Sequence, residues 1–76
     1  MTELAQKVLE LATLYLGPAS KVFLDRQTQY HMNGLMFDEL ERKHLPPLSH
    51  WVRISAGLLI DKTRAKELSE KIAALH

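Results

Sequence analysis

The sequence contains no cysteine. No disulfide can staple the chain, and no zinc site that uses thiolate ligands can form. The absence also points away from the small secreted scaffolds that depend on bridges. Only three glycines and three prolines are present, too few for a linker, and they act as punctuation. Gly17, Gly34 and Gly57 stand alone, so no Gly-rich phosphate cradle is expected. Charge of one sign is lacking as well. Ten Lys and Arg against nine Asp and Glu give a formal net charge of +1. A dedicated nucleic-acid binder usually carries a clear basic excess, although a local patch remains compatible with this balance. No apolar run approaches the roughly 18–20 residues a bilayer requires, and no membrane association is expected. Met1-Thr2-Glu3-Leu4 lacks the basic and apolar segments of a signal peptide. A cytoplasmic protein, or a domain of one, is expected.

What remains is ordinary globular material. Apolar residues make up 46% of the 76 positions and charged residues 25%, outside the range of disordered chains. The length suits one domain, residues 1–76, near the lower limit for a single core. Burial at about 25 cal/mol per Å² must offset roughly 1.5 kcal/mol of entropy per ordered residue. Domains this small often recruit a partner or pair with a second copy, and a homodimer is expected on that ground.

The periodicity predicts an all-α fold, a compact bundle of four to five short helices around a buried fourth one. A first helix spans about 2–16, with Thr2 as N-cap and Leu4, Val8, Leu11 and Tyr15 at helical spacing. Leu16-Gly17-Pro18 breaks it. A second helix covers about 18–31, with Ala19, Val22, Phe23 and Tyr30 inward and the Arg26 stem filling the stripe. Asn33-Gly34 reads as its end. A third spans about 35–43, with Met36, Phe37 and Leu40 forming its apolar face. Pro46-Pro47 is expected to stop it, and Ser49 to cap a fourth helix over 50–60. Trp51, Val52, Ile54, Ala56, Leu58, Leu59 and Ile60 leave that helix little polar surface, which predicts a central, buried hub. Asp61 caps a fifth, about 62–75, with Ala65, Leu68, Ile72 and Leu75 as its stripe.

No catalytic constellation emerges. His31, His44, His50 and His76 show no metal-ligand spacing, so neither a metal nor another cofactor is expected. Ser49 and His50 are adjacent, but adjacency does not make a nucleophile–base pair. Asp38, Glu39 and Glu41 read as a solvated face, without the desolvation that raises a catalytic pKa. The mixed signs of Lys62, Arg64, Lys66, Glu67, Glu70 and Lys71 also read as a solvated face. An enzyme is not expected. Apolar residues beyond the principal stripes instead suggest a non-catalytic interaction or regulatory module, its adhesive surface built from Leu9, Tyr15, Phe23 and Leu24. The alternative is a helix-turn-helix DNA-binding protein that uses residues 49–60, with Ser49, His50 and Arg53 as contacts. The apolar character of that segment, and a link without Gly, count against it.

Leu16-Gly17-Pro18-Ala19-Ser20-Lys21-Val22-Phe23-Leu24 resembles the Leu/Ile-Gly-Pro-x-Ala-x-Val-Leu-Val segment of small helical domains at the ends of bacterial multidomain signalling proteins. In that group a second helical part follows, matched here by residues 37–40 and 45–48. The similarity covers about nine residues and departs at Ser20. It implies a cytosolic regulatory or adaptor module, of bacterial type, without catalytic residues.

Overall fold

The computed structural model describes residues 1–75. They hold four α-helices: α1 (Glu3–Leu16), α2 (Ser20–His31), α3 (Leu45–Ala56) and α4 (Lys62–Ala73). Short 3₁₀ turns at Gly17–Ala19, Phe37–Glu39 and Arg42–His44 join them, and the described residues contain no strand. The all-helical class follows the periodicity. His76 lies outside the described residues.

α1 begins where its N-cap was read. Thr2 Oγ1 accepts the Ala5 N–H at 3.1 Å and donates to the Leu40 carbonyl at 2.8 Å. One hydroxyl thus caps the helix and ties it to the segment before α3. Ala5, Val8 and Ala12 form the buried centre of the stripe, with Leu4, Leu9, Leu11, Tyr15 and Leu16 on its flanks. Gly17 ends the helix at φ 66°, a left-handed angle that glycine adopts without a Cβ penalty. Pro18 follows in the 3₁₀ turn.

α2 departs from the expected register. It buries Ser20, Phe23, Leu24, Gln27 and Thr28, while Val22 and Tyr30 are exposed. Three of the buried side chains are polar, which the apolar pattern hid. Their burial is tolerated because each finds a nearby carbonyl. Ser20 Oγ donates to Gly17 O at 2.7 Å, and Thr28 Oγ1 to Asp25 O at 3.2 Å. Gln27 Nε2 donates to Phe23 O at 3.3 Å, and its Oε1 accepts from Ser55 Oγ of α3 at 2.8 Å. Asn33 (φ 58°) and Gly34 (φ 74°) then turn left-handed, and the Gly34 N–H reaches back to Gln29 O. This is the six-to-one closure of a Schellman end.

The helix expected over 35–43 is not an α-helix. It is two 3₁₀ turns separated by an extended Leu40 (φ −56°, ψ 134°). Phe37 and Leu40 are buried as read, but Met36 faces solvent. Two local bonds favour the break. Leu40 turns its carbonyl to Thr2, and the Glu41 N–H donates to His44 Nδ1 at 2.9 Å in a capping box.

Pro46 and Pro47 do not precede the next helix; they lie inside its first turn. α3 starts at Leu45, where the N–H groups that proline lacks have no intrahelical acceptor in any case. Ser49 is therefore not a cap. It sits one turn in, its hydroxyl donating to Pro46 O at 3.2 Å. The helix buries a single stripe, Leu45, Leu48, Val52 and Ala56, and ends at Ala56, four residues short of its expected terminus. The buried hub is thereby overturned. Trp51 is only half-buried, Ile54 is 49% exposed, and Leu58 and Leu59 protrude from the following turn at 86% and 64%. At the stop the Gly57 N–H still bonds Arg53 O, while the Leu58 and Leu59 N–H groups reach only three residues back, to Ser55 O and Ala56 O, so the chain tightens into a turn. Asp61 is then extended (ψ 157°) and its carboxylate accepts the Arg64 N–H at 2.8 Å. α4 then buries Ala65, Leu68, Ser69 and Ile72. The core is shared by all four helices and by Phe37 and Leu40 of the connecting segment.

A candidate interaction surface between α3 and α4

α3 and α4 make the most extensive helix pair in the molecule. The turn between them leaves an open groove of about 560 Å³ on their outer side. His50, Arg53 and Ile54 reach it from α3, at the i, i+3, i+4 spacing of one helix face. Leu58 enters from the turn, and Lys62 and Lys66 from α4, again one turn apart. All six are exposed. No carboxylate lines the groove. Asp61 is near in sequence, but one of its carboxylate oxygens is engaged at the α4 cap. Arg53, Lys62 and Lys66 take part in none of the ion pairs among the described residues. The result is exposed apolar surface from Ile54 and Leu58 beside cations that no acid in the lining neutralises.

The other charged clusters hold the fold together. Lys21 Nζ lies 2.8 Å from Asp25 Oδ1 and 3.3 Å from Asp38 Oδ1, and above the Phe37 ring. Asp38 Oδ1 is buried and accepts no aligned hydrogen bond, so its contact with Lys21 is chiefly electrostatic. Hydrogen bonding to Asp25, reinforced by Asp38, raises the Lys21 pKa above its ordinary value against a smaller opposing effect of burial. This cluster latches α2 to the 3₁₀ segment. Between α1 and α4, Tyr15 donates to Glu67 Oε1 at 2.8 Å, and Arg64 and Lys71 flank its ring. The Tyr15 hydroxyl and then Lys71 hold the Glu67 carboxyl below its ordinary range. Lys71 is shifted upward by Tyr15 and Glu67. Here α1 is latched to α4. Trp51 forms a third contact: His31 stacks on the indole with centroids 4.0 Å apart and planes at 7°, and His50 meets it edge-on at 5.1 Å.

The adhesive surface expected at Leu9, Tyr15, Phe23 and Leu24 does not exist in that form. Phe23 and Leu24 are core residues, while Leu9 and Tyr15 are half-buried and pack against the core. The three residues named as DNA contacts are divided. His50 and Arg53 line the groove, whereas Ser49 is half-buried and bonded to its own helix. The α-helix that a helix-turn-helix would place before α3 is replaced by 3₁₀ turns. Ile54, Leu58, Lys62 and Lys66 were not singled out by sequence. The two apolar residues were assigned to the buried hub, and the lysines to a solvated face. The available signal was Gly57 followed four residues later by the cap-forming Asp61, a spacing that favours a turn carrying Leu58 and Leu59.

Among the described residues, neither a metal centre nor a nucleophile with its base is assembled. The described residues contain no group of three His, Asp or Glu placed to hold an ion. His44 is occupied by the Glu41 N–H, and Ser49 by Pro46. No described helix is long and apolar enough to cross a membrane. No protein-family model, curated protein or solved structure matches the chain.

Proposed function

We propose that the chain is a non-catalytic interaction module, a regulatory or adaptor domain that docks a partner protein on the α3–α4 face. The observation that carries this reading is the exposure of Ile54, Leu58 and Leu59 along one groove and turn. Single exposed leucines are unremarkable, whereas a contiguous apolar patch rimmed by charge marks a recognition surface. Leu14, Val22, Tyr30 and Met36 are exposed too, but none of them lines the cation-bearing groove, and the core closes without Ile54, Leu58 or Leu59. The open geometry of the groove favours binding a partner surface over enclosing a substrate.

The DNA-binding reading retains one supporting observation, the presence of His50 and Arg53 beside Lys62 and Lys66. The two readings separate in one experiment. A photo-activatable amino acid replaces Leu58 in the full chain, and Arg26, exposed on α2, serves as control position. Irradiation in cells is expected to give discrete protein adducts from position 58 and none from position 26. Adducts to nucleic acid alone, or the same adducts from both positions, contradict the proposal.

A further inference from the structure

We infer that the occupant of the α3–α4 groove is a short acidic helix with apolar anchors, supplied by another protein. The inference rests on the docking role proposed above and adds the chemistry of the partner.

Three features of the groove select this class. The first is charge. Arg53, Lys62 and Lys66 point into one groove with His50 beside them, and no acid among the lining residues neutralises them. A partner carrying Asp or Glu gains complementary contacts and faster encounter, and a basic partner is repelled. The second is apolar surface. Ile54 and Leu58 expose apolar side chains beside the cations. Covering them is favourable only for a partner that brings apolar groups of its own. The third is shape. The α3 part of the lining, from His50 to Ile54, runs about 6 Å at 1.5 Å per residue, and Gly57 and Leu58 continue it into the turn. A furrow of that length between two helices fits one turn of a third helix, with anchors at i and i+4.

The same features discriminate against other occupants. A symmetric second copy would set Arg53, Lys62 and Lys66 against themselves, because a two-fold interface pairs a patch with its own equivalent. A nucleic-acid backbone satisfies the cations but gives Ile54 and Leu58 no apolar partner, and the net charge of +1 supplies little non-specific attraction. A bilayer surface is flat and does not enter a furrow.

The test uses a labelled peptide of about 15 residues, near the length at which an isolated helix becomes marginally stable in water. It carries leucines at i, i+4 and i+7 and glutamates on the flanks. A counterpart has lysine at every glutamate position. Fluorescence anisotropy with the full chain, at about 0.1 M ionic strength, keeps screening moderate, with a Debye length of about 10 Å. The acidic peptide is expected to bind at least about tenfold more tightly than the basic one. The Arg53→Glu, Lys66→Glu double variant should invert that preference, and Lys62→Glu alone should reduce it. Ile54→Ser should weaken the acidic peptide without changing the salt dependence. Equal affinity for both peptides overturns the inference, as does tighter binding of duplex DNA or anionic phospholipid vesicles. If the peptides fail while position 58 still cross-links to protein, the partner chemistry is wrong and the docking role stands. If position 58 gives no protein adduct, both fall.

Discussion

Gln27 and Thr28 show how much of a fold can turn on a side chain's local options. Both are buried on α2 among apolar neighbours, and neither contributes an apolar stripe. Thr28 bonds carbonyls one turn back on its own helix, and Gln27 bridges to Ser55 of α3. Hydrophobic periodicity does not register residues of this kind, and for that reason the sequence placed Val22 and Tyr30 inside. Gln27→Ala should leave the Ser55 hydroxyl without its partner in a half-buried site. A loss of about 1–3 kcal/mol in chemical denaturation is expected. A value near zero would mean that water replaces the bond. The Tyr15–Glu67–Lys71 latch gives a prediction in pH. The folded Glu67 pKa lies below its ordinary value of 4.5, so the unfolded chain takes up the proton first as pH falls. The latch therefore contributes fully above about pH 4.5 and is lost as pH drops through the lower folded value. Glu67→Gln should flatten the fall in melting temperature on acidification across that window. An unchanged acid limb would show that the pairing does not persist in solution.

Helix ends were legible where a side chain acts as the punctuation. Thr2, Gly17 with Pro18, Asn33 with Gly34, and Asp61 all mark boundaries that the sequence places within a residue or two. Each has a local mechanism, such as a capping oxygen or a left-handed angle, that needs no knowledge of the rest of the fold. Boundaries that depend on competition between neighbours were not legible. Pro46-Pro47 stops a helix from the N-terminal side and starts one from the C-terminal side, and residues 35–43 give the same apolar spacing as an α-helix or as 3₁₀ turns. The tie is broken by tertiary bonds, chiefly Thr2 Oγ1 to Leu40 O, which span 38 residues and leave no trace in a local pattern. Asp61 illustrates what one cap decides at this scale. It starts α4 and fixes where the turn that carries Leu58 and Leu59 gives way to helix. Asp61→Ala should lower stability by about 0.5–2 kcal/mol, read by urea denaturation. A cost indistinguishable from zero would imply that the turn persists without the cap.

At the scale of the whole molecule, the fold class followed from composition and period, but the candidate site did not. The error had a single origin. Reading 51–60 as one continuous helix put Ile54, Leu58 and Leu59 on a helix apolar nearly all round, which buried them by argument. Ile54 lies off the single buried stripe of α3, and ending the helix at Ala56 puts Leu58 and Leu59 in an exposed turn, so the supposed hub is largely surface. His50 and Arg53, named for their chemistry rather than their burial, did lie at the groove. The whole reading thus depends on three apolar residues being dispensable for folding. Thermal and urea denaturation of the Leu58→Ser, Leu59→Ser double variant, beside Leu68→Ala from the core of α4, measures this directly. The double variant should stay within about 0.5 kcal/mol per site of the parent chain, as exposed substitutions do. Leu68→Ala should lose about 2–5 kcal/mol. A loss of comparable size in the double variant would place both leucines in the core and remove the docking surface.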